Sequence, residues 1–87
     1  MELRAEARRL LKLAAANGDA GAQFSLGTAH YGLGELQDFA EARRLYGLAA
    51  AQGLAEGQYR LGAMHFDGDG GPEDFAEARR LYGLAAA

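Results

Sequence analysis

The sequence predicts an all-α fold, a right-handed solenoid of about five antiparallel helices, on three observations. One fourteen-residue segment, DFAEARRLYGLAAA, occupies residues 38–51 and recurs without a change at 74–87. A related segment, EARRLLKLAAANG, occupies residues 6–18, which is 35 residues before its counterpart. Helix-forming residues dominate these segments and β-branched residues are almost absent. A fixed period of this length is typical of proteins that stack helical repeats in one dimension.

Two kinds of helix alternate along the chain, and we call them A-type and B-type. B-type helices carry the recurring segment and are predicted from about residue 3, over 39–51 and over 75–87. A-type helices are predicted over 20–31 and 55–66, so the order is B-A-B-A-B. The length of 87 residues fits a single domain. We divide it into a half repeat at 1–18 and two repeats at 19–53 and 54–87.

The predicted boundaries follow from capping residues. Asp38 and Asp74 precede B-type helices and have Glu41 and Glu77 three positions later, the pattern of a capping box. Two further residues fit a left-handed helix stop: Gly18 and Gly53.

The apolar residues of the central B-type helix span an arc of roughly 200°, too wide for one neighbour. They are Phe39, Ala42, Leu45, Tyr46, Leu48, Ala49 and Ala50. We therefore expect an A-type helix on each side. Within the A-type helices, Gly27 and Gly62 allow neighbouring helix axes to approach closely, although each glycine lowers helix stability by about 1 kcal/mol. For Gly47 and Gly83 the sequence offers no reason beyond bending.

Composition excludes several function classes. Nine Lys and Arg against twelve Asp and Glu give a net charge of -3, which disfavours nucleic-acid binding. Without Cys there is no disulfide, thiolate zinc site or thiol nucleophile. Ser25 and Thr28 are the only hydroxyl residues of their kinds and lie in no catalytic or phosphate-binding motif. We therefore expect no enzyme activity and no cofactor, and neither a membrane span nor a secretory signal.

Metal binding is also not expected. His30 and His65 occupy equivalent positions, but two histidines do not complete a zinc site, so we interpret them as hydrogen-bonded packing residues. The acidic run at 67–74 lacks the ligand spacing of an EF-hand and is interpreted as a glycine-rich loop.

Paired arginines recur with the repeat and are predicted to form a ridge on the outer face. A Glu lies three residues before the second Arg of each pair, so ion pairs should neutralise much of this charge. The pairs are Arg8-Arg9, Arg43-Arg44 and Arg79-Arg80, with Glu6, Glu41 and Glu77.

The motifs resemble those of the Sel1-like repeat family, relatives of the tetratricopeptide repeats. The first copy reads AQFxLG at 22–27, Gly34, then DFxxAxxxYxxAAxxG at 38–53, and the second reads QYxLGxMHxxGxGxPxD at 58–74. Departures are His30 and His65, where Tyr is common in the family, and a first loop one residue shorter without Pro. The unchanged fourteen-residue block indicates either a recent duplication or an engineered, consensus-like sequence. The pentatricopeptide family of RNA readers has a similar period but would be basic.

The resemblance implies a non-catalytic adaptor whose concave face holds a protein or peptide. Helical spacing groups two stripes on the A-type helices as candidate partner-binding residues. They are Phe24, Thr28 and Tyr31, and Tyr59, Ala63 and Phe66. The alternative interpretation is that these side chains only fill space between repeats.

The last B-type helix has an apolar face with no further A-type helix predicted to cover it. We therefore predict self-association through Leu81, Tyr82 and Leu84, giving a homo-oligomer. This leaves a second hypothesis for function, in which the chain is a structural or engineered repeat module whose only partner is itself. The identity of a partner and the cellular compartment are not indicated.

Overall fold

Five α-helices make up the fold in the computed structural model, which describes residues 3–32, 34 and 36–87. They are α1 (Leu3–Ala16), α2 (Ala20–Tyr31), α3 (Phe39–Ala51), α4 (Ala55–Asp67) and α5 (Phe75–Ala86). The predicted order of B-type and A-type helices is confirmed; α4 ends one residue later than predicted and α5 one residue earlier. Residues 1 and 2 of the predicted half repeat, and Leu33 and Glu35 of the first predicted loop, lie outside the described residues.

Each helix packs against the next one along the chain, which gives an elongated stack of 45 × 24 × 16 Å. Short connections make neighbouring helices antiparallel, so that residues near the start of α3 meet the end of α4. This arrangement is the predicted solenoid. Among the helices that the structure describes, none combines the length and the hydropathy needed to cross a bilayer.

Aspartates cap the starts of three helices. The Oδ1 atoms of Asp38 and Asp74 accept hydrogen bonds from the backbone N–H of Glu41 and Glu77, at 3.1 and 3.0 Å. Asp19 caps α2 in the same way, a role that we did not predict. Only half of the predicted capping box forms, because the Glu41 carboxylate binds Arg44 instead of returning to the cap.

The predicted glycine stops are confirmed at the ends of α1 and α3. Gly18 and Gly53 have φ angles of +92° and +90°, a conformation that a side chain at Cβ disfavours. The next backbone N–H then returns to a carbonyl of the last helical turn, from Asp19 to Ala14 O at 3.0 Å. The chain thus reverses within three residues and starts the next helix.

The core lies on both sides of α3. Tyr46 is 1% exposed and packs with Ala42, Leu61 and Met64 toward α4. A second cluster joins α1 and α2 to α3 through Ala15, Ala22, Leu26 and Leu45. The predicted two-sided burial is therefore confirmed, except for Leu48, which is 42% exposed and so lies outside the covered arc.

Gly27 and Gly62 do mark close helix approaches. A Cβ on Gly27 would lie 2.9 Å from the Tyr46 ring, and one on Gly62 would lie 3.1 Å from the Tyr82 ring. A Cβ on Gly47 or Gly83 would meet nothing within 4 Å. Packing therefore explains the first pair of glycines and does not explain the second.

Candidate functional site

The first predicted stripe lies against α3. Phe24 is half-buried with its ring centroid 5.6 Å from that of Tyr46, and the Tyr31 ring is 5.1 Å from Phe39. The hydroxyls of Thr28 and Tyr46 are 2.9 Å apart and share a hydrogen bond. All three stripe residues thus contact the neighbouring B-type helix.

Tyr31 also connects two repeats. Its hydroxyl donates a hydrogen bond to Asp69 Oδ2 at 3.2 Å, in the loop that follows α4. Burial and the nearby Asp69 carboxylate raise the pKa of Tyr31, because both disfavour the phenolate. The phenol therefore acts as a neutral donor.

The two aromatic rings of the second stripe are more exposed than those of the first. Tyr59 is 56% exposed and Phe66 is 53% exposed, although their rings lie 5.5 Å from Tyr82 and 5.2 Å from Phe75. Ala63, between them, is partly buried. Equivalent residues of the two repeats therefore differ in accessibility while keeping the same ring partner in the following helix.

Aromatic side chains of both repeats meet at a groove of about 670 Å³ on the A-type side of the stack. We call this the aromatic groove. It is lined by Phe24, Ala55, Glu56, Tyr59, Arg60, Tyr82, Ala85 and Ala86. A mainly apolar lining that includes one acidic and one basic residue suits a largely apolar protein segment.

A smaller hollow of about 270 Å³ continues along α5. It is lined by Phe66, Phe75, Ala78, Arg79 and Tyr82, so Tyr82 borders both hollows. Burial, and then the nearby Tyr59, raise the pKa of Tyr82, and its ring remains neutral at physiological pH.

The three residues predicted for self-association lie in different environments. Leu81 is 2% exposed because it packs against α4 next to Gly62. Leu84 is 46% exposed, close to the exposure of its counterpart Leu48. Tyr82 borders the aromatic groove and the smaller hollow, whereas Leu81 and Leu84 line a separate hollow of about 310 Å³ between α3 and α5.

Both histidines are hydrogen-bonded, as predicted. His30 Nδ1 lies 2.9 Å from the Leu36 carbonyl and so donates to it. His65 Nδ1 lies 3.1 Å from Arg43 Nη1, which makes this histidine nitrogen the acceptor. Within the described part of the chain, no three His, Asp or Glu residues come together as a metal site.

Arg43 corrects our prediction of an outer arginine ridge. Its guanidinium turns toward the end of α4, where it donates to the carbonyls of Met64 at 3.2 Å, Asp69 at 3.0 Å and Pro72 at 3.3 Å. The Asp69 and Pro72 carbonyls lie in the loop after α4, whereas the Met64 carbonyl in the last turn of α4 also accepts the backbone N–H of Gly68 at 2.9 Å. We call this set of bonds the Arg43 clamp.

The second arginine of each pair does lie on an exposed surface as predicted. Arg9, Arg44 and Arg80 each bind the glutamate three residues earlier, with the shortest N–O distance 2.6 Å in all three pairs. The hydrogen bonds from Arg44 and Arg80 lower the pKa values of Glu41 and Glu77.

Two buried glutamines have roles that the sequence analysis missed. Gln23 Nε2 donates to Ala15 O at 3.2 Å, and Gln58 Nε2 donates to Ala50 O at 3.4 Å. Both satisfy carbonyls at the end of the preceding helix, and Gln52 adds a bond to Gln23 Oε1 at 3.0 Å. The recurrence of glutamine at the same position of both repeats, 35 residues apart, could have indicated this structural role.

Comparison with known proteins agrees with this geometry. The model of the Sel1 repeat matches residues 4–19, 20–54 and 55–87. The chain belongs to the Sel1 repeat family. Proteins of this family generally mediate protein–protein interaction, and their helical scaffolds are generally non-catalytic. No curated protein matches the chain.

Two solved structures show the same Sel1 repeat fold. One is a protective antigen of uropathogenic Escherichia coli strains displaying an SLR fold, with 41% identity, a TM-score of 0.87, and 94% of this chain matched to 18% of that one. The other is a Sel1 repeat protein from Oxalobacter formigenes, with 38% identity, a TM-score of 0.83, and 87% of this chain matched to 22% of that one. The chain thus spans about a fifth of their length.

Proposed function

We propose that this chain is a protein-interaction module that binds a largely apolar segment of a partner protein in the aromatic groove. The observation that carries the proposal is Tyr59, which remains more than half exposed in a groove whose lining is mainly apolar. Exposed aromatic rings on a rigid scaffold are the residues that most often dominate binding energy at protein interfaces.

The groove is also held in place by the fold. Tyr59 and Phe24 project from separate A-type helices, and each ring is supported by a tyrosine of the following B-type helix. A groove whose walls are already packed loses little conformational freedom on binding. Membrane and nucleic-acid partners are not part of this proposal, because the chain has a net charge of -3.

Selection from a random dodecapeptide library tests this function. Peptides that bind the full chain are measured by fluorescence polarisation against the wild type and Tyr59→Ala. We expect Tyr59→Ala to weaken binding by about tenfold or more. Leu48→Ala is the matched control, since Leu48 is an exposed apolar residue outside the groove. If no peptide binds, or if both variants bind equally well, the proposed function is wrong.

A further inference from the structure

The two histidines occupy the same position of the repeat but have opposite hydrogen-bonding roles. His30 Nδ1 carries a hydrogen and donates it to the Leu36 carbonyl at 2.9 Å. His65 Nδ1 carries a lone pair, because its partner at 3.1 Å is Arg43 Nη1, which can only donate. A protonated imidazole has a hydrogen on both ring nitrogens. Protonation therefore preserves the bond that His30 makes and removes the one that His65 makes.

The guanidinium that binds His65 is the one that forms the Arg43 clamp, and it has little room to move. Its Nε and Nη2 atoms already donate to the three carbonyls of the clamp. Loop backbone also packs against it, since a Cβ on Gly71 would lie 2.8 Å from Arg43 Cζ. Because the guanidinium is planar and rigid, a displacement of Nη1 displaces Nε and Nη2 with it.

Charged groups on the neighbouring elements act on the His65 ring in opposite directions. From α3, Arg43 opposes a second positive charge. From α5, Glu77 favours one: its pKa is lowered mainly by the hydrogen bond from Arg80 and further by the charge of His65. The end of α4 and the following loop add negative charge through Asp67, Asp69, Glu73 and Asp74. A charged His65 is therefore attainable in the folded chain, although not beside an unchanged Arg43 clamp.

We propose that protonation of His65 opens the Arg43 clamp, so that the loop at 68–73 detaches from α3 in mild acid and returns near neutral pH. The proton comes from solvent and is held at Nδ1. Two N–H groups and two positive charges would then face each other across 3.1 Å, so the guanidinium moves away and leaves the loop carbonyls. The backbone bond from Asp74 to the His65 carbonyl does not involve the ring and keeps the start of α5 in place.

NMR on the isotope-labelled full chain tests this switch. The ring signals of both histidines are titrated from about pH 7.5 to about pH 5, a range that includes the ordinary histidine pKa of about 6.5. Protection against hydrogen exchange, corrected for the intrinsic effect of pH, is measured at Arg43 Nε–H and at the Asp69 amide, which binds the Met64 carbonyl. We expect both protection factors to fall about tenfold or more, with the same midpoint as the His65 ring.

The first repeat provides a control within the same molecule. Its Asp38 amide binds the His30 carbonyl at 2.7 Å and should keep its protection while the His30 ring titrates. His65→Gln should abolish the pH response of the loop, because the glutamine oxygen can accept from Arg43 at every pH in this range. His30→Gln is the matched variant and should leave that response unchanged.

Three results would overturn the inference. The first is a His65 ring that gains its proton with no loss of protection at Arg43 Nε–H. The second is a His65 ring that does not titrate above about pH 5. The third is a His65→Gln chain whose loop responds to pH as the wild type does. Because the first two are read from the wild-type chain alone, the outcome does not depend on the folding of a variant.

Discussion

Glycines show how the same residue type serves different purposes in this chain. Gly27 lies against the Tyr46 ring and sets the distance between α2 and α3. Gly47, also inside a helix, faces open space. Both glycines reduce helix propensity, but only Gly27 allows close packing against a neighbouring helix.

Alanine substitutions should therefore change stability in opposite directions. We expect Gly27→Ala to lower the free energy of unfolding by about 1–3 kcal/mol through overpacking. We expect Gly47→Ala to raise it by about 0.5–1 kcal/mol through helix propensity. Urea unfolding followed by circular dichroism measures both, and a loss of stability in Gly47→Ala would contradict the explanation.

Residue roles could be predicted from sequence where the partner is local. Asp38 caps a backbone N–H three residues away, so the sequence alone identifies it. Arg43 binds carbonyls 21 to 29 residues away, in the last turn of α4 and in a loop whose shape the sequence does not specify. The sequence pattern therefore groups Arg43 with Arg44 on the outer face, where only Arg44 lies.

At the scale of the helix, each B-type helix has a glutamate in its first turn that forms an ion pair with the arginine three residues later. The carboxylates of Glu41 and Glu77 also lie near helix N-termini, where negative charge is favourable. The helix bounds were predictable to within one residue because caps, stops and the repeat period all agree. The exposure of Leu48 was not predictable, because it depends on how much of the α3 surface is covered by α2 and α4.

Acid should weaken these helices in a defined pH range. The pKa values of Glu41 and Glu77 are lowered in the folded chain, so the unfolded chain binds protons first as pH falls. The stabilisation is present above the unfolded value of about 4.3 and is lost as pH falls through the lower folded values. We expect the melting temperature to decrease from pH 5 to pH 3.

The double variant Glu41→Gln, Glu77→Gln tests this assignment. It should make the melting temperature less dependent on pH below about pH 5 and change it little at neutral pH, since exposed ion pairs contribute little to stability. If the melting temperature of the double variant falls as steeply with decreasing pH as that of the wild type, other carboxylates control the loss of stability.

At the scale of the whole molecule, both ends of the stack are B-type helices with an apolar side uncovered. Leu10 of α1 is more than half exposed, whereas its counterpart Leu45 is buried. At the other end Phe75 is more than half exposed, whereas Phe39 is partly buried. The solenoid fold was predictable from the repeat. The exposure of apolar side chains on α1 and α5 was not, because it depends on which surfaces a neighbouring helix covers.

We predict that the chain self-associates through its α5 end, with Tyr82 in the contact. Analytical ultracentrifugation over a concentration series should show a rising molar mass, and the melting temperature should rise with it. Phe75→Glu should reduce the association, and Leu48→Glu is the control on a surface away from the ends. A strict monomer at about 100 µM would refute this prediction and leave the open face to other proteins.

We predict that the Arg43 clamp makes residues 38–73 one cooperative unit of the fold. The clamp ties the first turns of α3 to the loop after α4, and a Cβ on Gly70 of that loop would overlap the Phe39 carbonyl. Contacts between the first turns of α3 and the loop after α4 therefore close the segment 38–73. Local opening detected by hydrogen exchange should follow this B-A-loop segment rather than the A-B repeat at 20–54. A piece cut at residues 38 and 73 keeps its clamp, whereas one cut between α3 and α4 loses it.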